Sequence, residues 1–158
     1  MDAAIFENLR LVGIGVVVRD HLGSVWAALS MKIGALLGPL ETEAKAMEEG
    51  LRFAWDRGFI SAELTTNRWW CTNDEEGDEG DSLMVYQSLT TSAIPPASIL
   101  NIISGALLQA SQLDECTFSF TRRTSNKVAY ELAQYARHLS DSSIWLKETL
   151  SFIENLVS

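Results

Sequence analysis

Cysteine and histidine are scarce in this 158-residue sequence, with two of each. Cys71 and Cys116 lie far apart, in no Cys-x-x-Cys or Cys/His spacing, which excludes the common zinc modules. Two reduced thiols in a cytosolic or nuclear protein are the expectation. His21 falls in a predicted turn and His138 near a predicted helix end, so a catalytic triad or zinc centre has little to draw on. No stretch approaches the roughly 20 apolar residues of a membrane span, and no membrane partner is expected. The opening Met1-Asp2 has no basic segment, so no secretory signal is expected. Positive charge is also in deficit: 12 Lys and Arg stand against 21 Asp and Glu, a net charge of −9. That excludes a protein whose whole surface is a basic clamp for nucleic acid.

What is present is one domain's worth of chain, 47% hydrophobic and 21% charged, as in ordinary globular proteins. The acidity is mostly local. Six acids sit in the run Asp74-Glu75-Glu76-Gly77-Asp78-Glu79-Gly80-Asp81, and removing them leaves fifteen against twelve, a net of −3. The run lacks the alternating ligands of an EF-hand loop and reads most simply as a solvated loop.

Periodicity gives the organisation. Gly13 to Asp20 is a β-branched strand, His21 to Ser24 a turn, and Val25 to Met31 the return strand of a hairpin. Gly13 and Gly15 share one face of the first strand and mark a close approach of other backbone. Pro39 signals entry to a helix over 41–57, whose Ala44, Met47, Leu51, Ala54 and Trp55 share one face, with Gly58 as its stop. Ser61 to Thr66 is a short strand ending at Asn67, and Arg68 to Asn73 starts a helix that the acidic run interrupts and 83–89 resumes. Ile99 to Leu113 is a helix, Cys116 to Thr121 a half-buried strand, and Lys127 to Leu139 a final helix. The tail over 144–157 is amphipathic and is expected to lie against the domain. This order implies a mixed sheet covered by helices.

Four stretches in that order resemble the ribonuclease H type-1 domain, and most nearly the plant group of reverse-transcriptase-like RNase H domains. They are Asp2-Ala3-Ala4-Ile5-Phe6, the hairpin from Gly13 to Gly23, the helix start Glu41-Thr42-Glu43-Ala44-Lys45-Ala46, and Asn126-Lys127-Val128-Ala129-Tyr130-Glu131-Leu132-Ala133. Trp145-Leu146-Lys147-Glu148 is similar to the plant group's ending. The resemblance spans the chain outside residues 70–98. It implies an α/β, RNase H-like three-layer fold, a mixed five-stranded sheet with helices on both faces, over residues 1–140. An acidic insertion at about 74–82 and a packed tail at 141–158 complete the expected domain plan.

The resemblance also implies a chemistry: hydrolysis of the RNA strand of an RNA–DNA hybrid, using two Mg²⁺ (or Mn²⁺) ions about 3.5–4 Å apart. Hard dications need several converging oxygen ligands. Four positions are implied as catalytic: Asp2 on the first strand, Glu43 in the first helix, Asn67 ending the fourth strand, and Tyr130 in the last helix. Only Asp2 and Glu43 keep a carboxylate and are the expected metal ligands. Asn67 offers a neutral carbonyl and Tyr130 a bulky neutral phenol, so metal binding is expected to be weak or absent. Arg122, Arg123 and Lys127 form the compact basic cluster, either a phosphate-contacting edge or a solvated loop. Trp69 and Trp70 read as packing residues or as a base-stacking platform. Without the family pattern, Glu43 would be only a first-turn acid favouring the helix dipole.

The expectation is therefore a monomeric, degenerate member that binds hybrid or other nucleic acid weakly, with hydrolysis weak or lost. A non-catalytic protein-interaction or vestigial retroelement-derived domain is the alternative. The first strand, with its Asp at residue 2, is expected to be half the family's length and to leave ladder groups uncovered. Adding about five β-forming residues before Met1 is expected to raise the melting temperature, and an unchanged melt would refute this.

Overall fold

The computed structural model describes residues 1–68, 80–122 and 126–146, with the side chains of 66–68, 80–82 and 120–122 apart. The chain opens on strand β1 (Asp2–Phe6), and a 3-10 turn at Glu7–Leu9 leads into β2 (Leu11–Arg19). Arg10 closes that turn in the left-handed region, at φ 51°, with its N–H on the Glu7 carbonyl at 3.0 Å. β3 (Val25–Ile33) returns antiparallel to β2. Between them Asp20 Oδ1 accepts the N–H groups of Leu22 and Ser24, both at 2.9 Å, and Gly23 takes φ +82°. These are the turn features the residue types predict.

Side-chain alternation along β2 then sorts the helices. Val12, Ile14 and Val16, with Ala27 and Leu29 of β3, enter the main core against helix α1 (Pro39–Asp56). α1 starts on Pro39 with Glu41 in its first turn, buries Ala44, Met47, Leu51 and Ala54, and ends before Gly58 at φ +75°. Helices α2 (Gly80–Thr90) and α3 (Leu100–Ala110) pack on α1 from outside, contributing Val85, Leu89, Ile103 and Ala106 to that core.

The opposite face of β2 carries Gly13 and Gly15 and receives helix α4 (Lys127–Tyr135). A Cβ at Gly15 would lie 2.0 Å from the Ala129 carbonyl oxygen, and one at Gly13 would lie 2.1 Å from that of Ala133. Leu132 packs here on Ala28, and its carbonyl accepts the Ser30 hydroxyl at 2.6 Å. Helices therefore cover both faces, as expected.

The strand count differs from the expected five. Among the described residues, six strands form two ladders: β1, β2, β3 and β6 (Ser143–Leu146) in the order β1-β2-β3-β6, and a parallel pair of β4 (Ser61–Arg68) and β5 (Glu115–Arg122). The extra strand is the start of the expected tail, which pairs with β3 from Ala27 to Ser30. Residues 147–158 of that tail lie outside the described residues. The break between ladders falls between β1 and β4, where β1 pairs with β2 only as far as Asp2 opposite Gly15. Across this gap the Met1 amine donates to the Thr65 carbonyl at 2.9 Å.

Several expected boundaries shift by a few residues, and two of the shifts bear on the site. Arg68 belongs to β4, where it pairs with Arg122, rather than to a following helix. Arg122 accordingly ends β5 instead of opening a loop. Sheet pairing extends strand geometry past the point where side-chain alternation stops being informative. Most of the acidic run lies outside the described residues, while Gly80 and Asp81 open α2.

The close fit of α4 on β2 leaves no room for a methyl group. Gly15→Ala is expected to cost about 2–3 kcal/mol through overpacking and to lower the melting temperature by about 4–12 °C. An unchanged thermal melt would show that α4 sits further from β2.

Candidate nucleic-acid and metal site

Asp2 opens β1 and is buried, with its Oδ1 accepting the N–H of Ala3 at 2.8 Å. Residues opposite one another in an antiparallel ladder share a face. Pairing with Gly15 therefore puts Asp2 on the α4 side, while Met1 faces α1, where its Cε would meet a Cβ at Gly50. Glu43 comes from the second turn of α1 and is half-buried. Asp2 and Glu43 meet electrostatically at one group, the buried Met1 amine. Burial pushes that amine down from 8.0 to about 6, against the opposing pull of the Asp2 and Glu43 carboxylates, with Arg19 adding to the lowering. The structure thus brings the two expected carboxylates to one end of β1.

Tyr130 lies on α4, half-buried, on the helix that packs on β1 and β2. Asn67 is on β4 opposite Thr121, two residues beyond the Thr65 that bonds Met1, and its side chain lies outside the described residues. Of the basic cluster, Lys127 is the exposed first residue of α4. Arg122 is placed by its backbone alone, and Arg123 lies outside the described residues, as do Trp69 and Trp70.

One residue was quoted in the sequence motif without a role. Asn126, at the start of α4, makes no helix-capping bond; its Nδ2 donates to the Met1 carbonyl at 2.6 Å. An Asn before a helix ordinarily reads as a cap, so only the missing Glu or Gln at the third helical position hinted otherwise. This bond fastens the N-terminus of α4 to the start of β1. The next turn of α1 is electrostatically occupied: buried Glu49 accepts from Lys45 at 3.1 Å and from Arg52 at 3.0 Å, and Lys45 also binds Glu48. Burial works against the Lys45 ammonium, but these bonds outweigh it and hold its pKa above the usual value.

Among the described residues, no three His, Cys, Asp or Glu side chains gather into a metal-binding group. Two carboxylates near one end of β1 can offer oxygens to one dication.

The family model described as reverse transcriptase-like matches residues 1–67 and 78–136. The chain belongs to this family. Its match resumes at residue 78, so α2, which the motifs left outside the resemblance, is a family element, and the unmatched stretch overlaps the acidic run. Two solved structures have a similar fold. RNase H1 from the halophilic archaeon Halobacterium salinarum NRC-1 is 21% identical, with a TM-score of 0.70 over 87% of this chain and 93% of that one. The N-terminal RNase H domain of Rv2228c from Mycobacterium tuberculosis is 22% identical, with a TM-score of 0.66 over 87% of this chain and 89% of that one. No curated protein sequence matches the chain. The architecture is that of an RNase H-like domain.

The Met1 amine sets a pH dependence for the chain as it stands. Its folded value lies below its unfolded one, so between about pH 6 and 8 the unfolded chain binds more protons, and stability rises with pH across that window. The gain approaches about 2 kcal/mol in urea titrations at the two ends. N-terminal acetylation should abolish it, and a dependence that persists after acetylation would assign it to another group.

Proposed function

We propose that this chain is a nucleic-acid-binding RNase H-like domain whose hydrolysis of RNA–DNA hybrids is weak or lost. The observation that carries this reading is the convergence of Asp2 and Glu43 on the Met1 amine at the N-terminal end of β1, in a fold similar to RNase H domains. Asp2 and Glu43 would hold a single Mg²⁺ or Mn²⁺ weakly, because two carboxylates are few charged oxygen ligands for a hard dication. Asn67 and Tyr130 at the other two positions bring no carboxylate to a second ion. The ion, when bound, supplies charge stabilisation to a phosphate oxygen. Lys127, with Arg122 and Arg123 in sequence beside it, would meet the phosphates of the bound strand, and the acidic run would repel them on its own side. On this reading the domain resembles the plant group most nearly and acts as a monomeric pseudoenzyme in the cytoplasm or nucleus.

The test is incubation of purified protein with labelled hybrid and Mn²⁺, beside the Asp2→Asn variant. The expected result is little or no cleavage, with hybrid binding that weakens as salt is raised. Cleavage present in the parent and lost in Asp2→Asn would overturn the degenerate reading. Absence of salt-sensitive binding would favour the protein-interaction alternative, for which the exposed apolar residues Leu100, Leu107 and Leu108 of α3 are the supporting observation.

A further inference from the structure

Helix α3 is apolar on two sides, and only one of them is covered. Ile103 and Ala106 are buried against α1. Leu100, Leu107 and Leu108, at i, i+7 and i+8, form a second stripe that faces solvent. Leu83 and Met84 are likewise exposed on α2, which packs on both α1 and α3, and Ile94 of the connecting loop is 91% exposed. Single exposed leucines are ordinary, whereas a helix apolar on both sides is ordinarily covered on both.

Charge is missing from this layer after Asp81. From Ser82 to Leu113 the sequence has no Asp, Glu, Lys, Arg or His, in a chain of which 21% is charged. The stretch is closed by exposed Asp114 and Glu115, just past the C-terminus of α3. No basic residue stands in the last turn of α3, so its macrodipole adds to the same negative end. The cations Lys45 and Arg52 of α1 are tied to Glu48 and Glu49.

This chemistry selects the occupant. Nucleic acid and an anionic membrane both need cations that this face lacks. A second copy would cover the leucines but bring another net charge of −9. An amphipathic helix with lysine or arginine beside its apolar stripe matches both the leucines and the acidic end.

We propose that the outer face of α3, together with Leu83 and Met84 of α2, docks a cationic amphipathic helix of a partner protein. The apolar stripe of that helix lies on Leu100, Leu107 and Leu108, and its cations meet Asp114 and Glu115. The face is separate from hybrid binding. A Cβ on Gly105 of α3 would meet Glu48 of α1, whereas Met1 meets α1 at Gly50. Residues two apart on a helix point about 200° apart, so α3 and the start of β1 lie on opposite sides of α1.

The probe is a peptide of about fourteen residues with leucine along one helical face and lysine along the other, added to the 158-residue chain. Hydrogen exchange is expected to slow from Leu100 to Ala110, with a melting temperature that rises with peptide concentration. Leu108 is 63% exposed, so Leu108→Ser keeps the fold and the net charge, and it should weaken binding about tenfold. Asp114→Asn combined with Glu115→Gln should weaken binding as well and flatten its salt dependence. No protection of α3, binding unchanged by Leu108→Ser, or equal binding by a peptide with glutamate in place of lysine overturns the proposal. Dimerisation that Leu108→Ser abolishes would make the occupant a second copy. Binding to phosphatidylcholine vesicles that the same variant abolishes would make it a membrane, and either result overturns the partner reading. Hybrid binding, followed separately on the same variants, is expected to stay unchanged.

Discussion

The backbone of α4 rests directly on the backbone of β2, and the rest of the site depends on that contact. Gly13 and Gly15 remove the side chains that would hold the helix away, and the Ala129 and Ala133 carbonyls fill the space. Ser30 then satisfies the Leu132 carbonyl from β3, and Asn126 satisfies the Met1 carbonyl from the helix start. The first bond gives the buried Ser30 hydroxyl its partner, on a carbonyl that also accepts the Ala136 N–H, and the second pairs the Met1 carbonyl across the contact. The helix is thereby fixed in position along β1 as well as in distance from β2. Lys127 and Tyr130 consequently lie beside the strand that carries Asp2.

The same arrangement concentrates charge at the start of β1. Asp2 arrives on the α4 face and Glu43 from α1, and the buried Met1 amine lies in the field of both. In a low-dielectric corner this amine opposes the two carboxylates more strongly than it could in water. The net charge of −9 therefore says little about the site. Most of the excess resides in the 74–81 run, whereas the site holds two acids and a partly titrated base.

Much of this was legible in the sequence, and the reason differs by element. The β2–β3 hairpin was readable because Asp20 and Gly23 encode the turn locally, and α1 because proline, an apolar stripe and a glycine stop mark its whole length. The two glycines of β2 announced a close approach, and the structure supplies α4 as what approaches. Asp2 and Glu43 could be paired only through the family pattern, since nothing local links residue 2 to residue 43. The role of Asn126 was hidden because a side chain that bonds a residue 125 positions away looks, in sequence, like a cap. β6 was read as an amphipathic tail because four residues of alternating burial are too few to separate a strand from a helix. Strand ends at Arg68 and Arg122 were missed for a related reason: pairing between β4 and β5 sets them, and pairing is non-local.

The incomplete central ladder ties these observations together. In a continuous mixed sheet the middle strand transmits position from one edge to the other through its hydrogen bonds. Here α1 takes over part of that task. It packs on β1, β2 and β4, and Leu64 of β4 joins the same buried cluster as Met1, Ile14 and Leu51. Hydrophobic contact is non-directional, so it holds the two ladders together without fixing their register. The directional links at the start of β1 are Met1 to Thr65 and Asn126 to Met1, and both converge on one residue.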